Sequence, residues 1–308
     1  MAINTLEYAK LFQTQLDQQA EQQATSGWME ANAGQVIYNG GDEIKIPDIV
    51  VQGLGDYDRD NGFVQGSVTY KYQTHKLTMD RGRTFQLDAM DVNETNFGAS
   101  AANVMSEFQR MQVIPEIDAY RYSKIATTAI NAGNSEDYTP AEGTILSKLY
   151  EHIFTLADRG IDMGQLVITI SYPTYQILVN NSQIQKRIDV GNFTQGNVNL
   201  QIRMLDGIPL IPVSSSRMKS AYVFYDGSTS GQEQGGFAPD ASAVNVHWIV
   251  SSRRAPIGIS KTDVVRIFDP QTNQKANAWK LDYRKYHDII IPENKVREIF
   301  IAKDAGTP

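Results

Sequence analysis

The chain lacks cysteine altogether: none of its 308 residues is a cysteine. This excludes disulfide bonds, thiol catalysis, iron–sulfur clusters and cysteine-ligated zinc. Long apolar runs are missing too, since no stretch approaches the roughly 20 residues that cross a bilayer. The first residues have neither the basic flank nor the apolar centre of a signal peptide. We therefore expect a cytoplasmic protein with no membrane contact.

Positive charge is also in short supply. The chain has 28 Lys and Arg against 35 Asp and Glu, which gives a formal net charge of -7. Proteins that grip phosphates use clustered cations to release counterions, so we do not expect phosphate binding to be the main task. Hydrophobic residues make up 41% of the chain, which suffices for a sizeable core in one large or two medium domains.

Signatures of catalysis and of metal binding are missing as well. The chain has no G-x-S-x-G, no phosphate-binding loop and no G-x-G-x-x-G. The four histidines are too far apart in sequence to form a short metal-binding pair, and we expect structural roles for them: His75, His152, His247 and His287.

One acidic segment has the alternating carboxylates of a calcium-binding EF-hand loop: Asp56, Asp58 and Asp60. The rest of the pattern fails. Counted from Asp56, the glycine falls at the seventh place instead of the sixth, and Ser67 stands at the twelfth, where a bidentate Glu is required. We expect this segment to be either a solvated acidic tip or a contact for a basic patch on a neighbouring molecule.

A long β-hairpin is predicted around this tip. Two runs rich in Val, Ile, Thr and Tyr, 44–51 and 64–77, flank a glycine-rich segment. Val68, Tyr70 and Tyr72 alternate with polar residues, which places an apolar row on one face. Because a two-stranded ribbon is marginal alone in water, this row needs a partner surface.

A long helix is predicted after the hairpin. Good helix formers extend to Ile130, and Val104, Phe108 and Met111 fall at helical spacing on one apolar face. Pro115 predicts a kink or a junction of two helices within this stretch.

Shorter elements follow in the rest of the chain. We predict a helix after a Thr144 cap, a buried strand at 166–170 and a helix over 173–186, with glycine-rich loops near Asn192 and Gly231. Further strands are predicted at 208–213, 221–225, 244–250, 264–268, 279–286 and 296–302. This order of elements favours an α+β fold.

Three blocks of residues carry a family resemblance. They are Thr78–Arg81 with Phe85–Asp88 and Met90–Asp91, then Val113–Tyr120, and finally Asp206–Val213 with Ser216–Met218. In this order, they resemble the major capsid proteins of tailed double-stranded DNA bacteriophages. These proteins have the Hong Kong ninety-seven type of capsid fold, which encapsulins share.

The resemblance implies an α+β capsid fold with four regions. They are an N-terminal arm over 1–42, an extended β-hairpin or E-loop over 43–88, a peripheral domain with a long spine helix over 89–137 and 251–308, and an axial α/β domain over 138–250. Tyr8, Leu11, Phe12 and Leu16 predict an amphipathic helix within about the first 25 residues. This helix either docks on its own domain or, as the resemblance favours, packs on neighbouring subunits.

The function implied is structural and not enzymatic, without a cofactor. Copies of the chain are expected to assemble through pentamers and hexamers into an icosahedral head that encloses double-stranded DNA, in the host cytoplasm. A portal protein, a decoration protein and a separate scaffolding protein are the implied partners, since too few residues precede the hairpin for a built-in scaffolding segment. The alternatives are an encapsulin-like compartment for a protein cargo and, from another class, an α/β enzyme.

Candidate inter-subunit contacts lie in three places before the spine helix. Trp28 is expected to be an anchor on a neighbour, and the acidic tip contributes a group of charged residues: Asp56, Asp58, Arg59 and Asp60. Arg81 and Arg83 alternate on one strand, so their guanidinium groups share a face. We expect them to pair either with acidic residues of a neighbour or with the spine helix of the same chain, at Glu94 or Glu107.

A last candidate is the basic pair Arg253-Arg254, which follows a predicted strand. It is either an ordinary charged strand end or a partner for an acidic loop of another subunit.

Overall fold

We describe a computed structural model of the chain, which covers residues 24–35, 37–38, 43–60, 62–88, 98–181, 188–195, 198–273 and 275–306. Nearly all of the amphipathic helix expected over the first 25 residues lies outside this part. The α-helices in the described residues are α1 (Gly98–Phe108), α2 (Ile114–Asn131), α3 (Ile145–Asp158) and α4 (Tyr172–Asn180), and short 3-10 helices lie at Gly27–Gln35, Met163–Gln165, Ser215–Arg217 and Glu293–Glu298. None of them combines the length and the apolar character that crossing a membrane requires.

The strands occur in four sheets. In chain order they are β1 (Ile37–Tyr38), β2 (Glu43–Val51), β3 (Val68–Lys76), β4 (Met79–Asp88), β5 (Ser135–Asp137), β6 (Leu166–Ser171), β7 (Ile188–Gln195), β8 (Val198–Leu205), β9 (Ile208–Val213), β10 (Tyr222–Phe224), β11 (Phe237–Pro239), β12 (Val246–Ser252), β13 (Ile257–Phe268), β14 (Ala278–Ile290) and β15 (Ile299–Lys303). The mixture of helices and sheets confirms the predicted α+β class.

The largest sheet has seven strands in the order β5-β15-β12-β6-β9-β8-β7. Strand β6 is buried along its whole length, as its continuous apolar sequence predicts. Strands β5 and β15 come from the two predicted peripheral segments, whereas the other five come largely from the predicted axial region. The two regions therefore share one sheet.

Helix α3 packs on this sheet through side chains that are four or three positions apart. Ile145, Leu149, Ile153 and Leu156 are fully buried against strands β6 and β9. Thr144 precedes the helix as predicted, but its hydroxyl bonds to the Tyr138 hydroxyl at 2.9 Å and does not cap the helix.

The segment around Asn192 forms a strand, so the loop predicted there is wrong. Strand β7 pairs antiparallel with β8 along its length, from Ile188 opposite Leu205 to Gln195 opposite Val198. The sequence of β8 alternates apolar and polar residues, and this period of two favours a strand more strongly than the scattered glycines favour a loop.

We call α1, α2 and the turn that joins them the spine helix. This helix packs on the three-stranded sheet β13-β14-β4. Met105 of α1 is buried against Leu281 and Tyr283 of β14. The rings of Phe85 on β4 and Phe108 on α1 meet edge to face with centroids 4.9 Å apart. The strand that leaves the hairpin thus becomes part of the body.

A π-turn, Gln109–Val113, joins α1 to α2, where Pro115 predicted a kink or a junction. The Ile114 N–H donates to the carbonyl of Gln109, five residues earlier. A proline ring clashes with the carbonyl four residues before it in an α-helix, and the wider π-turn relieves that clash. The extra residue changes the buried face. Met111 is 54% exposed, contrary to the predicted apolar face, and Gln109 is 2% exposed.

A buried carboxylate on α2 holds the segment before the hairpin. Asp118 accepts hydrogen bonds from the N–H groups of Thr25 at 3.2 Å and Ser26 at 3.0 Å, and from Arg217 at 3.1 Å. One turn later, Arg121 donates to the Ser26 carbonyl at 3.1 Å. The sequence-based expectation for Trp28 is wrong, because this side chain is 1% exposed in the core of its own subunit and is not an anchor on a neighbour.

Three of the four histidines contact neighbouring side chains of the same chain, consistent with structural roles. His152 lies 2.7 Å from Glu136 and accepts a hydrogen bond from Trp248 at 3.0 Å, and His247 lies 2.8 Å from Asp304. His287 is buried edge-on against a tyrosine of α2. Burial, together with nearby Arg and Lys side chains, holds the pKa of His287 well below its ordinary value.

Removing the buried carboxylate should destabilise the subunit. Asp118→Ala leaves two backbone N–H groups and the Arg217 guanidinium without their acceptor, and we expect a loss of about 3–5 kcal/mol in the free energy of unfolding. Denaturant unfolding measures it. Glu107→Ala is the control, since Glu107 and Arg110 form an exposed, solvent-screened pair that contributes little to stability. Equal losses in the two variants would contradict the role of Asp118.

Acid should destabilise the fold through His287. The unfolded chain binds a proton at this residue near pH 6.5, whereas the folded chain binds it only at lower pH. The contribution of neutral His287 to the free energy of unfolding is therefore fully present above pH 6.5. It falls as the pH drops below 6.5, by about 1.4 kcal/mol for each pH unit between the unfolded and the folded pKa of His287. Melting temperatures at about pH 7.5 and at about pH 5.5 should differ less for His287→Phe than for the native chain. An unchanged difference would refute this assignment.

Candidate interaction surfaces

The predicted hairpin is present and projects its distal half into solvent. Strands β2 and β3 pair antiparallel from Glu43 opposite Lys76 to Val51 opposite Val68. Near the body, Ile44 and Ile46 are buried against β13 and β14. Farther out, Val51 and all of Val68–Tyr72 are exposed, so the hairpin has a buried root and an exposed arm.

The apolar row of the hairpin is exposed, as the alternation predicted. Val68, Tyr70 and Tyr72 are 70%, 51% and 49% exposed. The two tyrosine rings meet edge to face at 5.0 Å, which makes a continuous aromatic surface. Further large apolar side chains are exposed toward the tip: Val51, Leu54, Tyr57, Phe63 and Val64. Contiguous exposed apolar surface of this kind marks an interaction site.

The acidic tip is a hydrogen-bonded turn with exposed carboxylates. The Asp58 N–H donates to the Gly62 carbonyl at 3.2 Å, and the Gly62 N–H donates back at 2.7 Å. The Asp58 carboxylate accepts from the Asp60 N–H at 2.9 Å, which orders the turn. Asp56, Arg59 and Asp60 are exposed. Among the described residues, no group of three or more His, Asp or Glu side chains is placed to hold a metal ion.

The root of the arm is fixed to the spine helix by a second buried carboxylate, Asp288. It accepts from the Thr78 N–H and hydroxyl, each at 3.0 Å, and from the Tyr120 hydroxyl at 2.7 Å. Lys124 forms an ion pair with it. Burial alone would raise the pKa of Asp288, but Lys124 and the hydrogen-bond donors together hold it below its ordinary value. The arm therefore leaves the body at a position set by α2.

Arg81 and Arg83 line a groove of about 610 Å³ between β4, the spine helix and the loop 225–236. Arg81 pairs with Glu116 of α2 and donates to the Gly236 carbonyl at 3.3 Å. Arg83 donates to the Glu233 carbonyl at 3.3 Å and is exposed. Of the two alternatives expected for Arg81, the structure shows a partner on the spine helix of the same chain.

The acidic residue that pairs with Arg81 differs from the two expected candidates. Glu107 pairs instead with Arg110, three positions along the same helix. Glu94 lies outside the described residues. Burial raises the pKa of Glu116 although Arg81 opposes the shift, so the ion pair sits in a poorly solvated site. No local sequence signal separates Glu116 from Glu107, because only the fold decides which turn of the helix faces β4.

Arg253 and Arg254 follow β12 in a turn. The Arg253 N–H donates to the Gln165 carbonyl at 2.7 Å, and its own carbonyl accepts from Asn32 at 2.7 Å. Arg253 is half-buried, whereas the Arg254 side chain is exposed. Of this pair, Arg254 is the residue with an accessible guanidinium group.

No protein-family model and no curated protein matches the chain. Solved phage capsid structures do match. The capsid of the cyanophage P-SCSP1u covers 88% of this chain, and 85% of that chain is covered, at 8% identity and a TM-score of 0.58.

Two further capsids align over similar lengths. The alignment with the mature capsid of bacteriophage PhiM1 covers 88% of this chain and 85% of the PhiM1 chain, with 12% identity and a TM-score of 0.53. The capsid of Staphylococcus phage Andhra covers 86% and 81%, with 10% identity and a TM-score of 0.51. Similarity at such low identity concerns the fold. The chain therefore has the phage capsid fold of the Hong Kong ninety-seven type that its three sequence blocks predicted.

Proposed function

We propose that the chain is a structural major capsid protein whose copies assemble through pentamers and hexamers into an icosahedral head around double-stranded DNA. The observation that carries this proposal is the exposed apolar row on the distal half of the hairpin. The phage capsid fold supports it. In this role the chain acts by packing against copies of itself, without catalysis and without a cofactor.

A second copy of the chain is the proposed occupant of the apolar row. The nine-residue strand β3 spans about 30 Å at roughly 3.3 Å per residue, so the arm reaches well beyond its buried root. A stable interface buries roughly 1,600 Å² in total, and area alone does not set affinity. A shell whose subunits each make several such modest contacts is reversible during growth and strong once closed.

Charged contacts would add specificity to this apolar surface. We propose that the tip carboxylates of Asp56, Asp58 and Asp60 pair with exposed guanidinium groups of neighbours, of which Arg83 and Arg254 are accessible. Arg59 lies between the carboxylates and would pair with an acidic side chain of a neighbour. Arg81 and Arg253 are engaged within the subunit and would position these surfaces instead of bridging them. Exposed pairs of this kind direct orientation more than affinity.

The wider assembly follows from the same proposal. A separate scaffolding protein would guide shell growth, a portal protein would occupy one vertex and a decoration protein would bind the outside. Assembly would take place in the host cytoplasm, and the chain would end in the virion capsid. The acidic net charge suits a wall that tolerates packaged DNA without binding its sequence.

The purified chain should form closed shells, or rings of five and six subunits. Light scattering and negative-stain electron microscopy, with and without a candidate scaffolding protein, test this expectation. Particles that contain double-stranded DNA after native purification support the head, and particles that contain a protein cargo indicate a compartment instead. A persistent monomer under all salt and scaffold conditions would contradict assembly.

Polar substitutions on the apolar row should abolish shells without unfolding the subunit. Because both tyrosines are largely exposed, Tyr70→Ser/Tyr72→Ser should leave the free energy of unfolding nearly unchanged. The matched control is Thr69→Ser/Lys71→Ser, on the opposite face of the same strand. Sedimentation should show shells for the control and free subunits for the tyrosine variant. Equal shell yields would remove the apolar row from the interface.

A further inference from the structure

The π-turn in the spine helix buries a polar side chain and exposes an apolar one. Gln109 is almost fully buried, and neither its Oε1 nor its Nε2 has a hydrogen-bond partner among the described residues. Two positions later, Met111 is more than half exposed. A partnerless buried amide is costly, and an exposed methionine forgoes burial that would be favourable. This inversion comes directly from the one extra residue in the turn.

Moving that extra residue one turn toward the N-terminus would correct the inversion. Each residue of an α-helix advances by about 100°. The residues between the old and the new position of the π-turn would therefore rotate about the helix axis by that angle. Gln109 would turn away from the core. Met111 would come into α-helical register with Asp118, two turns later, on a face that is buried in α2. Met105 and Ile114, on either side of the rotating segment, would keep their positions.

Pro115 disfavours this move, and the cost of the proline clash offsets the gain from exposing the Gln109 amide. With the turn in α-helical register, the proline ring meets the carbonyl of Met111 and kinks the helix. The π-turn relieves that clash but buries the Gln109 amide. Two arrangements with opposing costs are what a two-state element requires. Such π-turns occur frequently at functional positions in helices.

We propose that Gln109–Val113 is a register joint, in which the spine helix exchanges between the present π-turn and a kinked register that exposes Gln109 and buries Met111. The exchange takes place within one subunit and is independent of assembly. Gln112 and Val113 line the groove beside Arg81 and Glu116, so the same motion changes the shape of that groove.

Single cysteine substitutions report this exchange cleanly, because the native chain has no cysteine. We compare Gln109→Cys with Met105→Cys, a matched control that is fully buried one turn earlier on the same face. Cysteine at position 109 also removes the buried amide and so lowers the population of the outward register. Maleimide should nevertheless label the thiol of Gln109→Cys in the folded subunit roughly tenfold or more faster than the thiol of Met105→Cys, since only position 109 rotates outward. Equal labelling rates would mean that both thiols are exposed by a common unfolding event and would overturn the proposal.

A second variant tests the same joint without a cysteine. Gln109→Leu removes the buried amide and favours the present register, so we expect a melting temperature higher by about 2–4 °C. Amide hydrogen exchange within 109–113 should slow in this variant while exchange in α3 stays unchanged. Gln112→Leu, an exposed position in the same turn, is the control and should change neither quantity. A lower melting temperature or unchanged exchange for Gln109→Leu would overturn the proposal.

Discussion

Two buried carboxylates, Asp118 on helix α2 and Asp288 beside it, hold together segments that are far apart in the chain. Asp118 binds the residues before the hairpin, and Asp288 binds Thr78 at the root of the hairpin while contacting Tyr120 and Lys124 of the helix. Each carboxylate is buried and accepts several hydrogen bonds, so the loss of either would leave buried donors without an acceptor. The direction in which the arm leaves the body depends on these contacts.

The subunit divides its apolar residues between its own core and the arm. Ile44 and Ile46 at the root of the hairpin pack against the sheet, so they contribute to the stability of one subunit. Tyr70 and Tyr72 farther out contribute little to that stability because they remain exposed. If the distal arm contacts another copy as proposed, this division means that the contact costs the subunit none of its own core. The same separation is what makes the proposed surface variants interpretable.

Conserving a fold does not require conserving residues. Phage capsid structures align over more than four fifths of this chain at 8 to 12% identity. The pattern of buried and exposed positions is sufficient for such a fold, because burial of apolar surface depends on residue class and volume more than on identity. The spine helix shows how far details vary: its π-turn follows from Pro115 in this sequence and changes which side chains face the core.

Local patterns in the sequence determined the hairpin, the buried strand β6 and the face of α3, because periods of two and of about 3.6 residues are set by the backbone alone. The tertiary structure decided what no local window contains. It selected Glu116 as the partner of Arg81, buried Trp28 in its own subunit and joined β5 to β15 across more than 160 residues. It also buried Gln109, against its polarity. Such pairings depend on which surfaces meet after the chain has folded, and the spacing of residues along the sequence does not specify which distant residues become neighbours in space.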